Sequence, residues 1–187
     1  MKVLVTGSNG FIAQNLKSRL KLIPEVKILE YKRGDTKDIL IRSLKEADLI
    51  YHLAGANRPE KVSEFQRDNI DLTSEIVDNL KSSNLKKKKK IIFSSSTQTS
   101  LQNHYGKTKL EAEKILNKLS SKENITLVIL RLTNVYGKWS RPNYNSVVAT
   151  FCYNILNDIP IEITEPDKVL SLIYIDDLID NFLQHID

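Results

Sequence analysis

Cysteine is all but absent: the 187 residues include one, Cys152, so no disulfide can close within the chain. That excludes a disulfide-stapled scaffold and suits a reducing cytoplasm. Long apolar runs are missing too. The longest, such as residues 127–130, fall far short of the roughly 20 residues that span a bilayer. The opening MKVLVTG has no basic leader followed by an apolar stretch, so no signal peptide is read and no membrane partner is expected. Proline and glycine are sparse, at five and six residues, and no Pro/Gly/Ser-rich linker or internal repeat divides the chain. The three histidines, His52, His104 and His185, are scattered, and no metal site is expected. Acidic residues are outnumbered 23 to 28, a net charge of +5, yet five of the cations form one run, Lys86 to Lys90, ahead of an apolar segment. A nucleic-acid groove reader spreads cations among aromatics over a face. This run reads instead as a solvated loop, and no nucleic-acid partner is expected. Small anions such as nucleotides suit the remaining positive charge.

What is present is a globular composition, 41% hydrophobic and 27% charged, long enough for one domain with a sizeable core. Short apolar runs alternate with helix-length amphipathic segments. Strands are predicted over 2–6, 26–31, 48–53, 91–95 and 126–132, and helices over 11–20, 39–47, 60–81 and 105–119. Ile12, Leu16 and Leu20 form one stripe at helical spacing. The strands are nearly continuous apolar runs, as burial on both faces requires. Alternating elements of this kind imply right-handed crossovers and a doubly wound α/β fold with a parallel sheet. Beyond residue 134 a helix is predicted over 144–157, extended segments over 161–164 and 169–174, and a last helix capped by Asp176. The chain stops inside that helix. A single domain over 1–187 is therefore expected, with the start of an incomplete C-terminal substrate lobe from about 135, as a piece of something longer.

The first strand runs into Thr6-Gly7-Ser8-Asn9-Gly10-Phe11-Ile12-Ala13 and then a helix. Gly7 permits a sharp turn, Gly10 lets a diphosphate approach the backbone, and Ala13 is small enough for close helix–strand packing. The helix start offers unpaired N–H groups to the anion. Gly7, Asn9, Gly10, Phe11 and Ile12 are the residues assigned to a dinucleotide here. The second strand, which should end at the adenosine ribose, closes on Glu30-Tyr31-Lys32-Arg33. A carboxylate such as Glu30 favours NAD(H), whereas Lys32 and Arg33 are nearer the tip and can clamp a 2′-phosphate. NADP(H) is the expected cofactor, with NAD(H) the alternative.

Tyr105 and Lys109 are four residues apart on one predicted helix and share a face. A free phenol titrates near pH 10. A neighbouring ammonium is expected to lower that value, and Lys109 can also hold the nicotinamide ribose. Ser94-Ser95-Ser96 ends the strand before them, where a hydroxyl can bind a carbonyl oxygen.

TGSNGFIA, YHLAGANRP, FSSST, YGKTK and RLTNVYG, in that order, resemble the extended short-chain dehydrogenase/reductase family of nucleotide-sugar epimerases, dehydratases and reductases. The resemblance covers almost the whole chain and implies a Rossmann fold. It places Ser96, Tyr105 and Lys109 as the catalytic triad. It sets Gly7, Gly10 and Ala13 at the pyrophosphate, Leu53, Ala54 and Gly55 over the adenine and ribose side, and Asn134 at the substrate. The chain departs from the family in its third glycine, which is Ala13, and in a short Ser96-to-Tyr105 connection. With the stretch KWSRPNYNSVVATFCY, that connection resembles the N-terminal reductase domain of bifunctional capsular-polysaccharide enzymes. In that family NADPH reduces a 4-keto UDP-sugar on the way to UDP-N-acetyl-L-fucosamine, and a separate metal-binding cupin domain epimerises the ring. A UDP-sugar substrate and a cytoplasmic homodimer, paired through the helices at 60–81 and 105–119, are implied.

Lys138, Arg141, Asn143, Tyr144 and Asn145 then read as a loop gripping the UDP moiety, against the alternative of a surface turn built on Pro142. Arg58 is a candidate for either ligand. Trp139 and Tyr136 read as packing residues, His52 as a core histidine, and Cys152 as inert core on an apolar helix face. A 4-epimerase or dehydratase that recycles its NAD is the competing enzyme reading. Thr97-Gln98 stands where dehydratases commonly carry a carboxylate pair, which disfavours dehydration. A nucleotide-binding scaffold without turnover is the alternative from another class.

Overall fold

The computed structural model describes residues 1–83, 87–119, 124–163 and 165–186, in two compact units, Met1–Leu132 and Thr133–Asp187. In the first, Val3, Leu4 and Val5 have no exposed surface, the burial expected of a strand covered on both faces. They belong to β1 (Lys2–Thr6), which pairs in parallel with both β2 (Lys27–Tyr31) and β3 (Leu49–His52). β4 (Lys89–Ser96) and β5 (Ile125–Leu132) extend the sheet to the order β2-β1-β3-β4-β5, all parallel. The winding reverses at β1, which opens a crevice beyond the carboxyl ends of β1 and β3.

The crossovers are α1 (Phe11–Leu20), α2 (Lys37–Glu46), a composite helix, and α5 (His104–Asn117). Alternate strand residues face opposite ways. Leu4, Ile50, Ile91 and Phe93 form one core with Leu40 and Leu44 of α2, Ile76 and Leu80 of the composite helix, and Ala112 and Leu116 of α5. Val3, Val5 and Tyr51, pointing the other way, are equally buried, as are Leu16 and Leu20 of α1.

The predicted helix over 60–81 is three pieces: α3 (Ser63–Phe65), a π-helical turn (Gln66–Asp71) and α4 (Leu72–Ser82). The cause is Asn69, a buried amide that must find partners. Its Oδ1 accepts the Ala56 N–H at 2.8 Å, while its Nδ2 donates to the Ala56 carbonyl at 3.1 Å and to Thr108 Oγ1 at 3.0 Å. The widened turn lets the side chain reach that loop.

The lysine run is not a solvated loop throughout. Lys89 and Lys90 belong to β4, and Lys89 is buried. Its ammonium donates to the carbonyls of Lys45 and Ala47, so it caps the end of α2. Lys87 and Lys88 are exposed, and Lys86 lies outside the described residues.

His52 is a core histidine, fully buried at the end of β3. Thr73 Oγ1 donates to the Asn69 carbonyl at 2.7 Å, so toward His52 Nε2, at 2.9 Å, it must accept. Nε2 therefore carries the proton, and Nδ1 accepts from Thr6 Oγ1 at 2.8 Å. A neutral ring satisfies the whole chain. Burial, aided by the Lys109 charge, pushes His52 down to about 3. Unfolded, the ring takes a proton near pH 6.5. Its contribution to stability is complete above that value and is lost as pH falls toward 3, at about 1.4 kcal/mol per pH unit. Urea denaturation of the wild type and His52→Gln at about pH 7 and about pH 5 should therefore show their stability gap narrowing by about 2 kcal/mol at the lower pH. Equal losses in both proteins would contradict this account.

The second unit holds a separate parallel pair, β6 (Asn134–Tyr136) with β7 (Leu172–Tyr174), and two helices, α6 (Val147–Leu156) and α7 (Ile175–Leu183). The short β6 follows too closely on β5 to be read as a strand of its own. The extended segment predicted over 169–174 shortens to β7. Residues 161–163 carry no regular structure, and Thr164 lies outside the described residues. α6 begins three residues later than predicted because Ser146 caps it, its Oγ accepting the Ala149 N–H at 3.3 Å. Asp176 is not a cap but sits in the first turn of α7, where Tyr174 holds the cap position. Cys152 is exposed rather than core, since α6 is apolar almost all round and buries only Asn154. Trp139 is likewise exposed, whereas Tyr136 packs, its ring 5.5 Å from that of Tyr174. Among the described residues no helix is long and apolar enough to cross a membrane.

Candidate active site

The turn after β1 is closed by backbone, with Gln14 Nε2 also donating to the Asn9 carbonyl at 2.8 Å. Gly7 has φ +65°, a conformation that suits glycine, and a Cβ there would lie 2.7 Å from the Ala54 Cα. The Gly10 N–H donates to the Gly7 carbonyl at 2.8 Å and closes the turn. Gly10 then occupies the cap position of α1 without a side chain to satisfy the helix's first N–H groups. Phe11 and Ile12 open that helix, and Asn9 and Gly10 are exposed at its mouth. Bare N–H groups at a helix start, approached by glycine backbone, fit a diphosphate.

The loop after β3 lies directly against this turn. Ala54 donates its N–H to Thr6 Oγ1 at 3.2 Å, and Leu53 and Ala54 line the space beside Gly7. Gly55 is exposed, and a Cβ there would lie 2.7 Å from Asn69 Oδ1 and 3.6 Å from the Lys109 ammonium. Arg58 is exposed on the same loop.

At the end of β2 the two opposed signals are sorted by their partners. The Glu30 carboxylate is paired with the Lys17 ammonium at 2.6 Å. Partial burial raises Glu30, but Lys17 outweighs it and holds the carboxyl below its usual range. Lys32 and Arg33 are exposed. The Arg33 guanidinium is held by Asp68 of the π-helical turn, with Glu64 Oε2 at 3.6 Å.

The three serines of β4 have three different partners. Ser94 Oγ reaches the His52 carbonyl at 3.4 Å, and Ser95 Oγ donates to Glu113 Oε1 at 2.5 Å. Ser96 Oγ accepts the Gln98 N–H at 3.1 Å, and its hydroxyl lies close enough to the Tyr105 phenol to oppose the rise that burial causes. The short connection forms one 3-10 turn (Thr97–Ser100) that seats the start of α5. Asn103 caps that helix by accepting the Gly106 N–H at 2.6 Å.

Lys109, one turn after Tyr105, is buried, with its ammonium 4.2 Å from the centroid of the Phe93 ring. The expected tuning of Tyr105 by Lys109 is not what dominates. Burial raises the phenol, and the Ser96 hydroxyl opposes it. Burial also brings Lys109 down to about 7, with Glu113 pulling the other way. Tyr105 is therefore a protonated phenol at neutral pH, poised to give a proton rather than to take one.

Several contributors were not read from the sequence. Asn69 orders the Gly55 loop from inside a helix, with no motif to mark it. Glu113 carried a legible signal, since it falls four residues after Lys109 on the same face. Its partner Arg131 lies on another element, so that pairing waited for the fold.

In the second unit Asn134 is exposed on β6, where its Nδ2 donates to the Ser171 carbonyl at 3.2 Å. Arg141, Asn143, Tyr144 and Asn145 are exposed on the loop before α6. Asn143 takes the left-handed conformation at φ 54°, and the Arg141 guanidinium lies 5.4 Å from the Tyr144 ring centroid. Lys138 pairs with Asp176 at 3.0 Å. Polar groups are thus gathered on one loop with their tips in solvent, on the Pro142 turn itself.

Residues 3–187 match the NAD dependent epimerase/dehydratase family. The chain belongs to that family. It is 41% identical over all 187 residues to UDP-2-acetamido-2,6-beta-L-arabino-hexul-4-ose reductase of Pseudomonas aeruginosa, and covers 50% of that protein. It is also similar to the capsular polysaccharide assembling protein CapF of Staphylococcus aureus, at 35% identity and a TM-score of 0.86, with all of this chain and 49% of that one covered. The chain therefore spans about half the length of both relatives. A UDP-glucuronic acid 4-epimerase of Bacillus cereus, solved with UDP-glucuronic acid and NAD, shares the fold at 23% identity, with a TM-score of 0.86 over all of this chain and 73% of that one. Family members of this kind depend on NAD(P), and the bare turn after β1 is where such a cofactor fits.

Proposed function

We propose that this chain carries the dinucleotide-binding and proton-donating machinery of an NADPH-dependent reductase acting on a 4-keto UDP-sugar, within capsular or O-antigen precursor synthesis in the cytoplasm. The observation that carries the reading is the grouping of buried Ser96 at the end of β4 with Tyr105 and buried Lys109 one turn apart on α5. Gly7, Asn9, Gly10, Phe11 and Ile12, with Leu53, Ala54 and Gly55 beside them, would hold the dinucleotide, whose reduced nicotinamide would supply a hydride to the carbonyl carbon. Ser96 orients the ketone oxygen. Tyr105 gives its phenolic proton to that oxygen as the C=O becomes C–O–H, and Lys109 holds the ribose hydroxyls and balances the phenolate left behind. Asn134, Arg141, Asn143, Tyr144 and Asn145 are assigned to the UDP-sugar. The reductase name of the Pseudomonas relative, identical at 41% of positions, supports the reaction type.

The NADP(H) preference follows from charge. With Glu30 paired to Lys17, exposed Lys32 is the cation at the β2 end that would meet a 2′-phosphate, and Arg33 would share its guanidinium between that phosphate and Asp68. Absorbance of the reduced nicotinamide, followed with a 4-keto UDP-sugar, should show NADPH consumed in preference to NADH. Replacing Lys32 and Arg33 together by alanine should cut that preference at least ~10-fold, since charge-assisted bonds contribute about 1.5–3 kcal/mol each. Equal use of NADH by the unmodified protein would refute the cofactor assignment. No consumption of either cofactor with 4-keto UDP-sugars would refute the reaction.

A further inference from the structure

Glu113 of α5 is 5% exposed, yet it is a carboxylate with three hydrogen bonds. Oε1 accepts from Ser95 Oγ at 2.5 Å and Arg131 Nε at 3.0 Å, and Oε2 accepts from an Arg131 terminal nitrogen at 2.7 Å. Ser95 and Arg131 are register partners on β4 and β5, so one side chain ties the helix to two adjacent strands. The tie sits next to Ser96 and one turn beyond Lys109. Fastening α5 to the sheet does not need a charge, because Ala112 and Leu116 already do it with apolar contact. A buried ion pair is an expensive fastener, often no better than a hydrophobic replacement.

What a carboxylate gives here, and an apolar residue cannot, is charge one turn below the Lys109 ammonium. Among the described residues, the titratable groups coupled to Lys109 are Glu113 of its own helix and neutral His52 of β3, with Arg131 of β5 paired to Glu113. Of these Glu113 alone favours a charged lysine. Arg131, half exposed, pairs with that same carboxylate at 2.7 Å.

We propose that Glu113 is a positioning residue whose carboxylate, held by Ser95 and Arg131, keeps Lys109 charged one helical turn after Tyr105, and that Arg131 sets how strongly Lys109 feels it. This deepens the reductase reading, in which Lys109 must be charged to hold the ribose and balance the phenolate, and rests on it for its meaning. The burial that brings Lys109 to about 7 makes the balance matter at neutral pH.

The test is the titration of Lys109 itself, which needs no turnover. In the full chain with 13C-labelled lysine Cε, the Lys109 resonance is assigned by its loss in Lys109→Arg and followed across the neutral range. Glu113→Gln, which keeps the shape and the accepting oxygen, should lower the midpoint by about one pH unit or more. Arg131→Gln should raise it, because Glu113 then acts uncancelled. In an active preparation the alkaline limb of turnover should shift the same way, down in Glu113→Gln and up in Arg131→Gln. A midpoint unmoved in Glu113→Gln, or shifted in the same direction by both variants, would overturn the proposal. If Glu113→Gln does not fold, Arg131→Gln decides alone, and a midpoint that stays or falls overturns it. Opposite shifts in a protein that oxidises no NADPH would uphold this proposal and count against the reductase reading instead.

Discussion

Tyr105→Phe is expected to reduce turnover by at least ~10²-fold, the scale of general acid–base catalysis, while cofactor affinity changes little. The substitution removes one oxygen and keeps the ring, whose neighbour Phe65 lies 6.4 Å away centroid to centroid. The phenol that is lost is held protonated by its burial, with the Ser96 hydroxyl opposing that rise. Among the described residues the other two members of the group are less suited to give that proton: the Lys109 ammonium lies over the Phe93 ring, and Ser96 Oγ accepts the Gln98 N–H. Lys109→Ala should behave differently, harming cofactor affinity as well as turnover, because in the proposed mechanism it would remove a ribose contact together with the balancing charge. Steady-state kinetics paired with calorimetry of cofactor binding separates the two variants. Near-normal turnover in Tyr105→Phe would mean that the proton comes from elsewhere.

The parts of this site that were legible in the sequence are those in which chemistry and local geometry share one stretch of chain. Gly7 and Gly10 lie three apart in a turn whose form follows from glycine's freedom, and Tyr105 and Lys109 lie four apart on a helix whose pitch brings them together. The five parallel strands were legible for a similar reason, since burial on both faces forces apolar runs. Residues defined by a distant partner were not. Asn69 is an ordinary polar residue in a helical pattern until the Ala56 loop lies beside it. Lys89 belongs to a charge run until the end of α2 supplies carbonyls for its ammonium. Arg33 reads as a free phosphate clamp, and only the fold brings Asp68 to hold it. Cys152 went wrong for the opposite reason. An apolar helix predicts burial only if something covers it, and within its own unit α6 buries Asn154 alone.

Gly106→Ala is expected to be nearly as damaging as loss of the phenol, by a route that touches no reacting atom. In an exposed helix this change stabilises by about 1 kcal/mol, because alanine restricts the unfolded chain. Here the added Cβ would lie 2.0 Å from the Gln98 carbonyl oxygen, 2.9 Å from its carbon and 3.1 Å from the Leu101 oxygen. All three are backbone atoms, so no side chain can swing aside. Either the 3-10 turn after Ser96 or the first turn of α5 has to move. Overpacking of this kind costs roughly 1–3 kcal/mol, which outweighs the helix-propensity gain. The displacement falls between Ser96 and Tyr105, the two residues that the turn and the helix bring together, and a shift of about 1 Å in such a pair can lower turnover ~10²-fold. Gly34→Ala is the control, since a Cβ there meets nothing within 4 Å and only its φ of +94° is strained. Urea denaturation should show Gly106→Ala destabilised by about 2 kcal/mol, the middle of that range, with turnover falling further than the loss of folded protein explains. Gly34→Ala should lose stability without losing specific activity. A Gly106→Ala protein that matched the wild type in both measurements would show that α5 can slide on the turn without parting Tyr105 from Ser96.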